Sequence, residues 1–270
     1  MADDRPPFLV TIATQRSGTK FLGTALSAGS VIRSVGEAFQ PGPSGADFRG
    51  FFGRFVAARG GFGFEAEEMT TALDAFVEHL RERVAPAGLH FDLMYNNLGA
   101  FGPIWSLPLG APGANFLLNW LKARRAAVIH LIRPDLAECY ASHVIAEARG
   151  IYHTGNDQDA ARGMNVTLSA DQALTYMLPV LRARRFVQRA FAGYVRYLEV
   201  TYPDMVAGQT VAPHVADRIA RLAGVPVADT ARLFGASPLR PTAQDKRALV
   251  ANFDDIARLA RSLQRQVLDG

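Results

Sequence analysis

Short apolar runs alternate along this chain with longer stretches in which apolar positions recur at helical spacing. The first run, Phe8-Leu-Val-Thr-Ile-Ala-Thr14, predicts a short strand buried on both faces. Gln15-Arg-Ser-Gly-Thr-Lys-Phe-Leu22 then turns the chain into helix-compatible residues from Phe21 to Ala28. Further strands are predicted at Ser30–Val35, Leu89–Tyr95, Ala126–Ile132 and Val195–Thr201, the fourth of these five being the clearest. Between them lie predicted helices. Glu65–Val84 carries Met69, Leu73, Phe76, Val77 and Leu80 on one face. Ala114–Arg125 follows, then a helix from Pro134 to about Arg149. A long helix is capped by Ser169 and should be kinked by Pro179, Ala212–Ala223 is closed by Gly224, and a last helix runs from about Asp245 to Leu263. Residues 101–113, rich in proline and glycine, the polar stretch 153–163, and Val225–Thr242 read as loops. This alternation predicts one α/β domain over residues 1–270, a three-layer sandwich with a mainly parallel central sheet.

Ligands in such sheets bind beyond the carboxyl ends of the strands. Three of those ends carry chemistry: Gln15–Lys20, Arg133 and Tyr202. A strand that turns through Gly18 into a helix gathers backbone N–H groups at one spot, where a phosphate or sulfate group can bind, and Arg16 and Lys20 add cations. The loop is not a Walker A motif, because position 13 is Ala and Thr19 separates Gly18 from Lys20. By itself it is equally compatible with an ordinary βα turn. A second unusual stretch spans about residues 38–66, where Phe39, Phe48, Phe51, Phe52, Phe55, Phe62 and Phe64 stand among many glycines. An acceptor pocket or lid is favoured there over plain core packing.

Composition narrows the function classes. The chain has 270 residues, 49% hydrophobic and 20% charged, and a net charge of +4, which calls for no nucleic acid and suits one polyanionic small molecule. Arg182, Arg184, Arg185 and Arg189 read as a solvated basic helix face. A single cysteine, Cys139, excludes an internal disulfide and a Cys-based metal site, and reads as a buried inert thiol. The N-terminal stretch does not resemble a signal peptide and no run is long enough for a membrane span, so the expectation is a soluble, cytoplasmic protein.

Arg16-Ser-Gly-Thr19, Arg133 with Ser142, and Tyr202-Pro-Asp204 together resemble the sulfotransferases that use 3′-phosphoadenosine 5′-phosphosulfate (PAPS). Gly36-Glu37, Leu93-Met-Tyr-Asn96, Leu131-Ile-Arg133 with Tyr140-Ala-Ser142, Ala148–His153 and Leu198–Tyr202 are similar to a bacterial subgroup that contains nodulation-factor and trehalose sulfotransferases. The resemblance runs in the same order from about residue 8 to 260 and implies a P-loop-like sulfotransferase fold. It implies that Gln15, Arg16, Ser17, Gly18, Thr19 and Lys20 hold the 5′-phosphosulfate, that Arg133 and Ser142 hold the 3′-phosphate, and that Tyr202 lies by the adenine. Arg240, Lys246 and Arg247 match the family's C-terminal basic loop loosely. Two departures stand out: the catalytic His of the cytosolic members has no counterpart, and Asp92 occupies a position where this subgroup has Lys. The implied activity is sulfuryl transfer to a hydroxyl of a carbohydrate or other small acceptor, without a metal. Arg16 and Lys20 would stabilise charge and Glu37, after the second strand, would be the general base. His153 and His143 are weaker candidates for that base, and His130 reads as a core residue. A P-loop nucleotide kinase or NTPase, and a non-catalytic nucleotide-binding module, are the rival readings; a homodimer is left open.

Overall fold

A computed structural model describes residues 8–40, 47–63, 65–99, 115–150, 166–239 and 246–269. The loop 101–113, the polar stretch 153–163, and Phe64, His153 and Arg240 lie outside the described residues. Five parallel strands form one sheet: β1 (Leu9–Ala13), β2 (Ile32–Glu37), β3 (Gly88–Met94), β4 (Ala127–Ile132) and β5 (Tyr197–Thr201), in the order β2-β3-β1-β4-β5. Every residue of β1 and β4 is buried, which is why both read as nearly unbroken apolar runs.

The connections are helical. They are α1 (Thr19–Ala28), α2 (Phe48–Arg59), α3 (Ala66–Val84), α4 (Phe116–Ala123), α5 (Leu136–Arg149) and α6 (Ala170–Ala190), with a short α7 (Tyr202–Met205), α8 (Pro213–Ala223), α9 (Thr230–Leu233) and α10 (Phe253–Gln264) after the last sheet strand. Leu9 and Ala13 of β1 pack with Leu22 and Leu26 of α1, and with Val215 and Ile219 of α8, on one face of the sheet. Val10 and Ile12 pack with Phe76 and Leu80 of α3 and Leu118 of α4 on the other. Helices therefore flank the parallel sheet on both faces. A third apolar cluster joins α5, α6 and α10 through Tyr140, Met177, Leu181, Phe253 and Ile256. No described helix is long and apolar enough to cross a membrane.

The chain leaves β1 toward β2 on one side of the sheet and leaves β4 toward β5 on the other. The crevice between the carboxyl ends of β1 and β4 is thus a topological switch point, the place where such sheets bind ligands.

Several elements differ from the sequence expectations, and α9 lies within the stretch 225–242 expected to be a loop. Strand β2 runs on through Glu37, so this residue ends the strand rather than following it. Ser34 pairs with His90 and Glu37 with Asp92, so three steps on β2 match two on β3. That is a bulge, made at Gly36 with φ of 74°. The last helix begins at Phe253, not Asp245, because the chain first makes a turn and bridges Val250 to Val166. A small hairpin, β6 (Val206–Ala207) with β7 (Thr210–Val211), was hidden by its brevity. The phenylalanine-rich stretch forms α2, with Phe39 and Phe48 buried and Phe51 and Phe52 packed against the core.

Candidate functional site

The β1–α1 turn takes an unusual backbone path. Arg16 has φ of 66°, rare for a residue with a side chain, and Gly18 has φ of 96°. A Cβ on Gly18 would also sit 2.2 Å from Cδ2 of the Tyr202 ring, so glycine is required here by both backbone and neighbour. Helix α1 has no side-chain cap and no acid in its first turn, and the N–H groups of that turn have no partner within the helix. Its positive dipole end is open to an anion. Helix α5, which starts across the crevice, differs: Asp135 caps it by accepting from the Glu138 amide at 2.9 Å. Ser17 is fully buried, and its Oγ has no hydrogen-bond partner among the described residues.

Cations from three elements converge beside this turn. Arg16 donates through Nε and Nη2 to Ser142 Oγ at 3.1 and 3.0 Å. Arg133 donates to the carbonyl of Arg16 at 3.0 Å and to Glu138 at 2.7 Å. Its guanidinium lies 5.0 Å from the centroid of the Tyr202 ring, within cation–π range. Lys246, nearly buried, stands 3.7 Å from the same carboxylate of Glu138. Burial alone would raise Glu138, but the Arg133 hydrogen bond and the Lys246 charge outweigh it and hold the group below its ordinary range. Burial and the Arg133 charge lower Lys246, with Glu138 opposing them. Neither protein-family models nor curated proteins match this chain.

A second group of polar side chains lies along β2 and β3, on the α1 side of the sheet. The bulge turns Glu37 toward the face shared by Ser34, His90 and Asp92; without it the alternation of a regular strand would send this side chain to the opposite face. Glu37 is exposed, yet partial desolvation still raises its carboxyl, with Lys20 opposing. Asp92 is buried, with Oδ1 unpartnered among the described residues. Burial first, then the charge of Glu37, pushes its carboxyl up to about 7 against the pull of Lys20. His90, fully buried, is pushed down to about 3 by desolvation. Its ring lies 2.7 Å from Thr11 Oγ1 and 2.8 Å from Ser34 Oγ.

The structure brings Arg16, Ser17, Gly18, Thr19, Arg133, Ser142, Tyr202 and Lys246 together around one crevice, with Lys20 and Glu37 on its β2–β3 side. Ser142 is held by Arg16 rather than by Arg133, because the left-handed turn at Arg16 carries that side chain over α5. Gln15 turns away to Asn96, at 3.3 Å. His143 stacks on Tyr176 and faces Glu147 along its own helix. His130 is a satisfied interior residue between Tyr95 and Tyr197, each at 2.6 Å. Cys139 is buried under the turn, with its thiol raised by burial. Sequence reasoning missed Glu138 and His90. An acid five positions after a strand-end Arg, in the first turn of the next helix, was the available signal for Glu138. His90 offered none, because its partners come from two other strands. Among the described residues, no group of three or more His, Cys, Asp or Glu side chains could hold a metal ion.

Proposed function

We propose that this protein is a PAPS-dependent sulfotransferase of P-loop-like fold, transferring a sulfuryl group to a hydroxyl of a carbohydrate or other small acceptor. One observation carries the reading: two separate anion-binding positions open onto the same switch-point crevice. The first is the uncapped start of α1, with Arg16, Lys20 and the unpartnered buried Ser17 hydroxyl. The second is Arg133 with Lys246, across the crevice, bridged by Glu138. A nucleotide with anionic groups at both its 5′ and 3′ positions would engage both, and Tyr202, under the Arg133 guanidinium, offers a ring for a base.

When bound, PAPS would supply a sulfuryl group whose S–O bond to the 5′-phosphate breaks as a new S–O bond to the acceptor oxygen forms, the bisphosphate leaving with the electron pair. This chain's own residues supply the rest. Ser17 and the first amides of α1 hold the 5′ anion; Arg16 and Lys20 balance charge on the leaving oxygen. Arg133 and Lys246 hold the 3′-phosphate. The acceptor hydroxyl is neutral near pH 7, so its proton must pass to a base, and Glu37, at the end of β2, takes it.

Thermal unfolding with 3′-phosphoadenosine 5′-phosphate and with ATP tests the reading. A ligand held at 100 times its Kd adds about 2.7 kcal/mol. The bisphosphate should raise Tm clearly and ATP much less at equal concentration; equal shifts would point to a nucleotide kinase or NTPase and overturn the proposal.

A further inference from the structure

Glu37, the last residue of β2, and Asp92, inside β3, are register partners on the same face of the sheet, and the charge of Lys20, in the first turn of α1, acts on both. Asp92 lies between Glu37 of β2 and Thr11 of β1, and Thr11 is neutral. On its own strand His90 Nε2 stands 3.7 Å away, and burial keeps that ring uncharged at neutral pH. Two carboxyls therefore share the positive charge of Lys20. Asp92 is out of water, and its Oδ1 finds no donor among the described residues. Two neighbouring carboxylates in so poor a solvent do not both ionise readily; one keeps its proton.

We propose that Asp92 is a positioning residue for proton transfer, holding the single proton of a Glu37–Asp92 carboxyl pair so that exposed Glu37 stays ionised and open to the acceptor. The asymmetry sets the roles. Glu37 reaches solvent and Lys20, so it keeps the charge; Asp92 is buried, so it keeps the proton. When the acceptor's O–H bond breaks, its proton goes to Glu37, the pair then carries two protons, and one returns to solvent from the exposed member. Desolvation and the Glu37 charge, which raise the Asp92 carboxyl toward neutrality, agree with this division.

The role rests on the sulfotransferase reading, but its core can be tested without turnover. An infrared titration of the unliganded wild-type protein should show one buried carboxyl losing its proton near neutral pH, and Asp92→Asn should remove that signal. Glu37→Gln should move the same titration to lower pH, because the neighbouring charge is gone. No carboxyl titrating above the ordinary acid range, or a titration unmoved by Glu37→Gln, would overturn the pair even if Asp92→Asn fails to fold. With turnover in hand, Asp92→Asn, neutral like the protonated acid, should leave the acid limb of kcat against pH in place and remove the inflection that Asp92 ionisation gives the wild type near neutral pH; a limb moved to lower pH would show Asp92 charged while Glu37 titrates and would overturn the division of roles. Should the bisphosphate fail to bind while the infrared signal behaves as described, the sulfotransferase reading falls and the carboxyl pair stands.

Discussion

At Gly36 the backbone takes φ of 74°, and an added Cβ there would meet nothing within 4 Å, so the glycine serves the bulge and not a packing contact. The bulge is what gives Glu37 its position. Removing a placed base costs about 10²–10⁴-fold in rate. Glu37→Gln should lower turnover by at least about 10²-fold with bisphosphate affinity, read by calorimetry, nearly unchanged. Parallel loss of affinity would make Glu37 a strut of the β1–α1 turn. The nearness of Glu37 to the second strand was legible in the sequence, but not that the strand runs on through it. Its facing was not, because a one-residue insertion inverts the alternation that a strand pattern assumes.

Among the elements, α2 and α3 show a pattern read correctly and one read in part. The period of α3 placed Met69, Leu73, Phe76, Val77 and Leu80 on one face, and all five are buried. The glycines of the preceding stretch obscured α2, which packs by aromatic contact instead. Phe76 meets Phe39, Phe48 and Phe51 with centroids at 5.7, 5.2 and 5.3 Å. Phe55 and Phe62 continue the stack outward at its edge. Phe76 is completely buried, so Phe76→Ala should destabilise the fold by about 3–5 kcal/mol. Urea unfolding reads this as a lower midpoint at constant slope. A cost under about 1 kcal/mol would mean that α2 closes over the cavity.

For the molecule as a whole, two buried groups at the β1–β3 seam pull stability in opposite directions with pH. His90 binds its proton more weakly folded than unfolded, so the stability from keeping it neutral is present above 6.5 and is lost as pH falls toward about 3. Asp92 binds its proton more tightly when folded, so its contribution is present below 3.8 and is lost as pH rises toward about 7. Their windows overlap, and the two slopes offset one another there. Asp92→Asn removes one of them. The stability of the variant relative to wild type, from urea unfolding at stepped pH, should therefore rise across that window by up to about 1.4 kcal/mol per pH unit. Parallel curves would show that Asp92 titrates alike in both states.

The alternation of strand and helix, the boundaries of the central strands, the buried face of α3 and the cations at the ends of β1 and β4 could all be read from the sequence. Each depends on neighbours a few residues apart, where side-chain period and turn chemistry act directly. Strand order, and with it the switch-point crevice that joins Arg16 to Ser142 across 126 positions, came only with tertiary structure. So did Glu138 bridging Arg133 and Lys246, His90 between Thr11 and Ser34, and Asp92 beside Glu37. A buried polar group is stable only with the partners that folding brings to it, and its charge state follows from them. Those partners sit on other strands, at separations no local pattern encodes.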